Sequence, residues 1–207
     1  MPEYRNIYLD LDSPYDLRCF SIDENSVPCG KPDITLTRVC DAEISNVSIE
    51  RSMFEKVISI GRSCYLESAD RLAFHNGPIK LTSVKVNDRP AGKIKIGNNV
   101  VLQGTAIIAY QSVEIEDNVT FGPQVTIMDS SGHPVTGRGE PDEAERITAK
   151  PVIIKSGAWI GMNVIILKGV TIGKNAVVGA GSVVVSDVPD NCIVSGNPCK
   201  IVKFINQ

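Results

Sequence analysis

The chain has 207 residues, 43% of them apolar and 5% aromatic, with a formal net charge of -3. That length suits one domain, or one domain with a small appendage, and the apolar content suits a continuous core. No basic block of the kind that tracks a phosphate backbone is present, which argues against a nucleic-acid partner.

The first residues, MPEYRNIYLDLDSPYD, are acidic and lack an apolar h-region, so no signal peptide is expected there. No run approaches ~18 consecutive apolar residues, so no membrane span is expected. Cys19, Cys29, Cys40, Cys64, Cys192 and Cys199 form no C-x-x-C pair and show no metal-ligand spacing. They read as small apolar residues in a reducing compartment, and the expected location is cytoplasmic.

Residues 1–56 show no clean six-residue period. Ile34-Thr-Leu-Thr-Arg-Val and Ile44-Ser-Asn-Val-Ser-Ile alternate like strands, and Ser52-Met-Phe-Glu-Lys reads as a turn. This region is expected to be an irregular β cap, since the open end of a solenoid needs cover. A weak period follows at Ile60, Leu66 and Leu72. Asn76-Gly77-Pro78 interrupts it, and Asn87-Asp-Arg-Pro-Ala-Gly92 reads as a loop.

From residue 93 the rhythm strengthens at Ile96, Leu102 and Ile108, then continues after one inserted residue at Ile115, Phe121 and Ile127. Gly97-Asn98-Asn99 and Glu116-Asp117-Asn118 supply corner residues that tolerate left-handed dihedrals. Residues 128–150 are aperiodic and polar, and long loops of this kind are usually functional or disordered. Aliphatic residues then recur at every sixth position without a slip: Ile154, Ile160, Ile166, Ile172, Val178 and Val184.

A hexapeptide period belongs to a parallel β-helix in which each hexad is one short strand plus a corner. The expected fold is all-β: a left-handed parallel β-helix spanning residues 57–207, with the cap, one long loop and an extended tail.

Five motifs carry a family likeness: Gly132-His-Pro-Val135, Trp159-Ile-Gly161, Gly169-Val-Thr-Ile-Gly173, Gly179-Ala-Gly-Ser182 and Ser195-Gly-Asn-Pro-Cys199. In this order they resemble the hexapeptide-repeat acyltransferases, in particular the galactoside and maltose O-acetyltransferases and the capsule and O-antigen sugar O-acetyltransferases. The resemblance runs from about residue 93 to 205. It implies the left-handed coil, a homotrimer with active sites between subunits, acetyl-CoA as donor, a saccharide acceptor and no metal.

The resemblance implies that His133 is the general base, and an imidazole suits that task near neutral pH. His75, in Ala73-Phe-His-Asn-Gly77, has no motif around it and reads as structural or superficial. Trp159, the single tryptophan, falls at an outward position of a hexad, where an exposed indole is costly unless covered. The family places a tryptophan there, near the acceptor and the cofactor arm, with packing between subunits of a trimer as the plain alternative.

Gly161, Gly179 and Ala180 match small residues along the family's pantetheine groove, and coil geometry alone also accounts for the glycines. Met162 stands near the thioester end, where many relatives have serine. Lys200 and Lys203 occupy tail positions where relatives often carry arginines near the CoA phosphates. Tyr110 replaces an acceptor-binding aspartate of sugar-specific relatives, and Leu102 replaces an asparagine. Tyr110 and Gln111 are candidate acceptor contacts. Asp129 is a candidate either to orient His133 or to touch the sugar, with a solvated turn as the plain alternative. An amino group on a nucleotide-linked sugar, or an antibiotic hydroxyl, is the alternative acceptor.

Overall fold

An aliphatic residue at every sixth position meets its equivalents only if the chain turns a corner after each short strand. The structure, a computed structural model, describes residues 2–41, 48–70 and 74–205. It starts with β1 (Glu3–Leu9), which precedes the coil. The first winding is β2 (Phe20–Ile22), β3 (Val27–Cys29) and β4 (Asp33–Cys40). The second is β5 (Ile58–Ile60), β6 (Tyr65–Glu67) and β7 (Lys80–Val86). The third is β8 (Lys93–Ile96), β9 (Val101–Gln103) and β10 (Ala106–Ala109). The fourth is β11 (Ser112–Ile115), β12 (Thr120–Phe121) and β13 (Thr126–Met128).

After the long loop comes β14 (Val152–Ile154), β15 (Trp159–Ile160) and β16 (Ile165–Ile166). The sixth winding is β17 (Thr171–Ile172), β18 (Val177–Val178) and β19 (Val183–Val184). β20 (Cys192–Gly196) and β21 (Cys199–Phe204) end the coil.

Equivalent strands stack into three faces. The first face runs β2-β5-β8-β11-β14-β17, the second β3-β6-β9-β12-β15-β18-β20-β21, and the third β1-β4-β7-β10-β13-β16-β19. These parallel sheets are typical of the left-handed β-helix of hexapeptide repeats. β1 and β21 pair antiparallel and close one edge each of the third and second faces.

The core is a set of aligned rows. Ile60, Ile96, Ile115, Ile154 and Ile172 form one. Leu81, Ile107, Ile127, Ile166 and Val184 form another. Burying each such side chain stabilises the coil by about 1.5–3 kcal/mol relative to exposure. Corner asparagines sit in the left-handed region, among them Asn99 (φ 54), Asn118 (φ 60), Asn163 (φ 56) and Asn175 (φ 54). Asparagine enters that region more readily than most residues, and the corner amides also bond between windings, the Asn99 amide donating to Asn118 Oδ1 at 3.2 Å.

The observed coil departs from the expected one in two ways. Residues 1–56 hold the first winding as well as a cap: β2, β3 and β4 pair in parallel with β5, β6 and β7. The hexad is hidden there because β4 is eight residues long and its last five are all buried. In addition, Ile107 points inward and Ile108 outward, because the corner at Gly104 (φ 53) is one residue tighter than its equivalents. The turn expected at 52–56 is a 3-10 helix over Arg51–Phe54. Most of the strand expected from Ile44, and Leu72 of the weak period, lie outside the described residues.

One edge of the prism concentrates the irregular segments. The corner joining the third face to the first carries Asp41, the loop 87–92, Tyr110 with Gln111, and the loop 129–151, stacked winding over winding. The six cysteines are all free.

Candidate active site

His133 is carried on the loop that leaves β13 and returns to β14 through a narrow neck. Ser130 bridges Ala149, the Lys150 N–H donates to the Asp129 carbonyl at 2.8 Å, and the Ser130 hydroxyl donates to the Thr148 carbonyl at 2.9 Å. Inside the neck, His133 Nδ1 lies 2.8 Å from Glu143 Oε1. The imidazole is 47% exposed, whereas the Glu143 side chain is 3% exposed. Glu143 Oε2 accepts from the Gly139 N–H.

The Gly139 N–H, and then the His133 ring, hold the Glu143 carboxyl below its ordinary value of 4.5. Glu143 is therefore charged at neutral pH and can only accept. Nδ1 must carry the ring proton, which leaves the Nε2 lone pair directed away from the carboxylate. This is the arrangement a general base needs.

The loop is braced from several sides. The Arg146 guanidinium donates to the Thr136 and Gly137 carbonyls at 2.9 and 2.7 Å, and Arg89 donates to the Ile147 carbonyl at 2.7 Å. Ala144 and Ile147 pack on Val39, Val84 and Val86 in a small second core on the outside of the third face. Tyr4, on β1, shares a row with Val39 and Val86, and its ring centroid is 6.3 Å from that of His133. Burial, then the Glu143 charge, push the Tyr4 phenol above its ordinary range.

Asp129 does not reach the imidazole in this arrangement; Glu143 does. Asp129 is fully buried, and its two carboxylate oxygens accept the backbone N–H groups of Tyr110 and Gln111, each at 2.7 Å. Burial raises its carboxyl while these bonds oppose the rise. The group fixes the corner that presents Tyr110 and Gln111 and has no free oxygen turned toward an acceptor.

Tyr110 and Gln111 line a cleft of about 790 Å³ along the same edge, with Arg89, Lys93 and Thr148. Burial pushes the Tyr110 phenol up to about 12, so it stays a neutral donor. Its hydroxyl lies 3.5 Å from where a side chain on Gly132 would begin, so Tyr110 stands between the cleft and the residue preceding His133.

The residues expected to meet a donor lie elsewhere on the coil. Trp159 is outward on the second face and 57% exposed. It begins a row through Val177 and Ile193 to Lys203. Three strand spacings separate its ends, about 14 Å. Lys200 is exposed on the same terminal strand. Gly161 with Met162, and Gly179 with Ala180, occupy the corner between the second and third faces. A Cβ on Gly161 would lie 2.6 Å from the Ala180 nitrogen, so that glycine is required by the close approach of successive windings. In one chain, His133 and these residues therefore occupy two different edges of the prism.

Residues 151–186 match the family described as bacterial transferase hexapeptide (six repeats). The galactoside O-acetyltransferase of Escherichia coli (strain K12) is 40% identical over 115 residues, 55% of this chain and 55% of that protein. The chain resembles the hexapeptide-repeat acetyltransferases. The galactoside O-acetyltransferase of Lactococcus lactis subsp. lactis (strain IL1403) is 40% identical over 58% of this chain and 60% of that one. The chain thus spans little more than half the length of the curated acetyltransferases it matches.

A hexapeptide-repeat containing acetyltransferase of Vibrio cholerae O1 biovar eltor, solved with acetyl coenzyme A, is 25% identical with a TM-score of 0.52. That match covers 93% of this chain and 74% of that one.

Sequence reasoning missed Glu143 and Tyr4. Glu143 is one acid among Glu140, Asp142 and Glu145 in an aperiodic loop, and only burial distinguishes it. Tyr4 lies 129 residues before His133 and has no periodic signal. His75 is at the surface, with its side chain 99% exposed, 4.0 Å from Asp70. Among the described residues, no group of three or more His, Cys, Asp and Glu side chains is placed to hold a metal ion. No described helix is long and apolar enough to cross a membrane.

Proposed function

We propose that this chain transfers an acetyl group from acetyl-CoA to a saccharide hydroxyl, with a surface-polysaccharide unit or precursor as acceptor. The observation that carries the reading is the 2.8 Å contact between His133 Nδ1 and the buried Glu143 carboxylate inside the aperiodic loop. The acceptor hydroxyl gives its proton to His133 Nε2 while its oxygen bonds to the thioester carbonyl carbon. A backbone N–H stabilises the tetrahedral oxyanion. Collapse breaks the C–S bond, and Nε2 returns the proton to the CoA thiolate. No acyl-enzyme forms.

Tyr110 and Gln111 give the acceptor an aromatic face and an amide, in a cleft of the size that holds small ligands. The row from Trp159 to Lys203 and the small residues Gly161, Gly179 and Ala180, with Met162, line the donor's path, with Lys200 and Lys203 near its phosphates. Because the two halves lie on different edges, each site takes one edge from each of two chains. Exposed Ile165, Leu167 and Val185 supply an apolar surface for that contact, and a closed homotrimer is the assembly proposed.

The test is thiol release from acetyl-CoA with a panel of sugars and amino sugars, wild type against His133→Ala. The reading fails if no acceptor accelerates release or if the variant matches wild type. Trp159→Ala is expected to raise the acetyl-CoA KM about tenfold, a loss of about 1.4 kcal/mol, with a smaller change in kcat. Initial rates at saturating acceptor would show it, and an unchanged KM would remove Trp159 from the donor path.

A further inference from the structure

We propose that Asp41, at the end of the first winding, is a positioning residue for the His133–Glu143 pair; this rests on the function proposed above. Asp41 follows β4 and is 7% exposed. Its Oδ1 accepts the Ala144 N–H at 2.7 Å, and its Oδ2 accepts the Glu145 N–H at 3.1 Å. Asn87, at φ 45 after β7, completes the clasp. Its amide donates to Asp41 Oδ2 at 2.8 Å and to Glu145 Oε2 at 3.1 Å, and its carbonyl oxygen accepts the Asp41 N–H at 3.0 Å.

The two N–H groups held by Asp41 belong to the residues directly after Glu143. With that peptide fixed, and with Ala144 seated in the small outer core, Glu143 has one way to face. Its carboxylate then has the Gly139 N–H on one oxygen and the imidazole on the other. Charge-assisted bonds to buried N–H groups are about twice as strong as neutral ones. Asp41 touches neither substrate nor the reacting atoms; it acts through Glu143. The N-terminal region is thereby part of the machinery and not only a lid on the coil.

The experiment uses full-length protein labelled with 15N in its histidines. Only His75 and His133 contribute, and His75 is solvent-exposed. In wild type, the His133 ring nitrogens should show a fixed tautomer with the proton on Nδ1. Asp41→Ala should shift them toward the averaged pattern of a free imidazole, as should Glu143→Gln.

The same variant should lower kcat for thiol release about 10-fold or more and leave the acetyl-CoA KM within about twofold. Asp41→Ala combined with Glu143→Gln should be no slower than Glu143→Gln alone. Asp41→Asn, which keeps the shape and one acceptor oxygen, should recover part of the rate; it also serves if the alanine variant does not fold. A folded variant whose His133 signals equal wild type overturns the proposal, whatever its activity. Displaced His133 signals in a protein that releases no thiol with any acceptor would sink the acetyl-transfer reading and leave the positioning role standing.

Discussion

His133→Ala is expected to lower kcat for acetyl transfer by about 10²–10⁴-fold, the usual worth of a positioned general base. The loss should fall on kcat, because the imidazole is engaged with the acceptor proton only as the C–O bond forms. The acetyl-CoA KM should change little, since the residues proposed to hold the donor lie on another edge of the coil. Glu143→Gln should cost about 10–100-fold, less than loss of the base itself. The amide keeps the shape but offers either an acceptor without charge or an N–H that opposes the Nδ1 proton.

The pH direction follows from Glu143. Its carboxyl is held below the ordinary 4.5 by the Gly139 N–H and the imidazole. A lowered value means that the Glu143 carboxylate is fully charged above the ordinary carboxylate range and loses that charge as pH falls through the lowered one. Glu143 therefore keeps its charge down to about pH 4.5, and its protonation contributes no loss of rate above that. Rates across pH 4 to 9, for wild type and Glu143→Gln, would test the assignment.

Phe121→Ala is expected to destabilise the protein by about 3–5 kcal/mol, a loss typical for truncating a buried aromatic ring. Phe121 is fully buried and lies on the second face in register with Ile160. Its equivalents along that face are the smaller Leu66, Leu102, Ile160 and Val178, so the ring fills the middle windings and no neighbour is placed to replace it. For a chain of this size the midpoint of thermal unfolding should fall by about 6–20 °C. Calorimetry would measure it, and a shift of a degree or two would mean that the coil closes around the void. The windings beside Phe121 also carry β13 and β14, from which the loop bearing His133 springs, so the proposed activity should disappear well below the melting temperature.

The rows of the coil were legible because Ile, Val and Leu at period six can be buried in few other ways. Ile107 and Ile108 show where that legibility stops. Both are aliphatic, and only the tight corner at Gly104 decides which one faces in. The first winding escaped for a related reason: β4 and β7 run longer than a hexad strand and bury residues on both sides, which hides the beat.

At the site, the aperiodic loop and its histidine stood out because a regular pattern made them irregular. Their partners did not. Glu143, Tyr4 and Asp41 are ordinary residues by local sequence: Glu143 meets His133 by the folding of one loop, Tyr4 reaches it from distant β1, and Asp41 touches only the loop backbone after Glu143. Asp129, beside His133 in sequence, looked the better partner. Burial and the Tyr110 and Gln111 N–H groups engage it in the corner below.

The clasp between Asp41 and Ala144 joins residues 103 apart in the chain. Within the coil, strands pair with their equivalents one winding away, such as Ile154 with Ile172. Such near-neighbour pairing closes small loops and propagates quickly, whereas the clasp must wait for both of its distant ends. The coil can therefore finish before the loop bearing His133 settles, and during synthesis the frame precedes the proposed site. Pulsed hydrogen exchange during refolding should show strand amides protected ahead of Ala144 and Glu145.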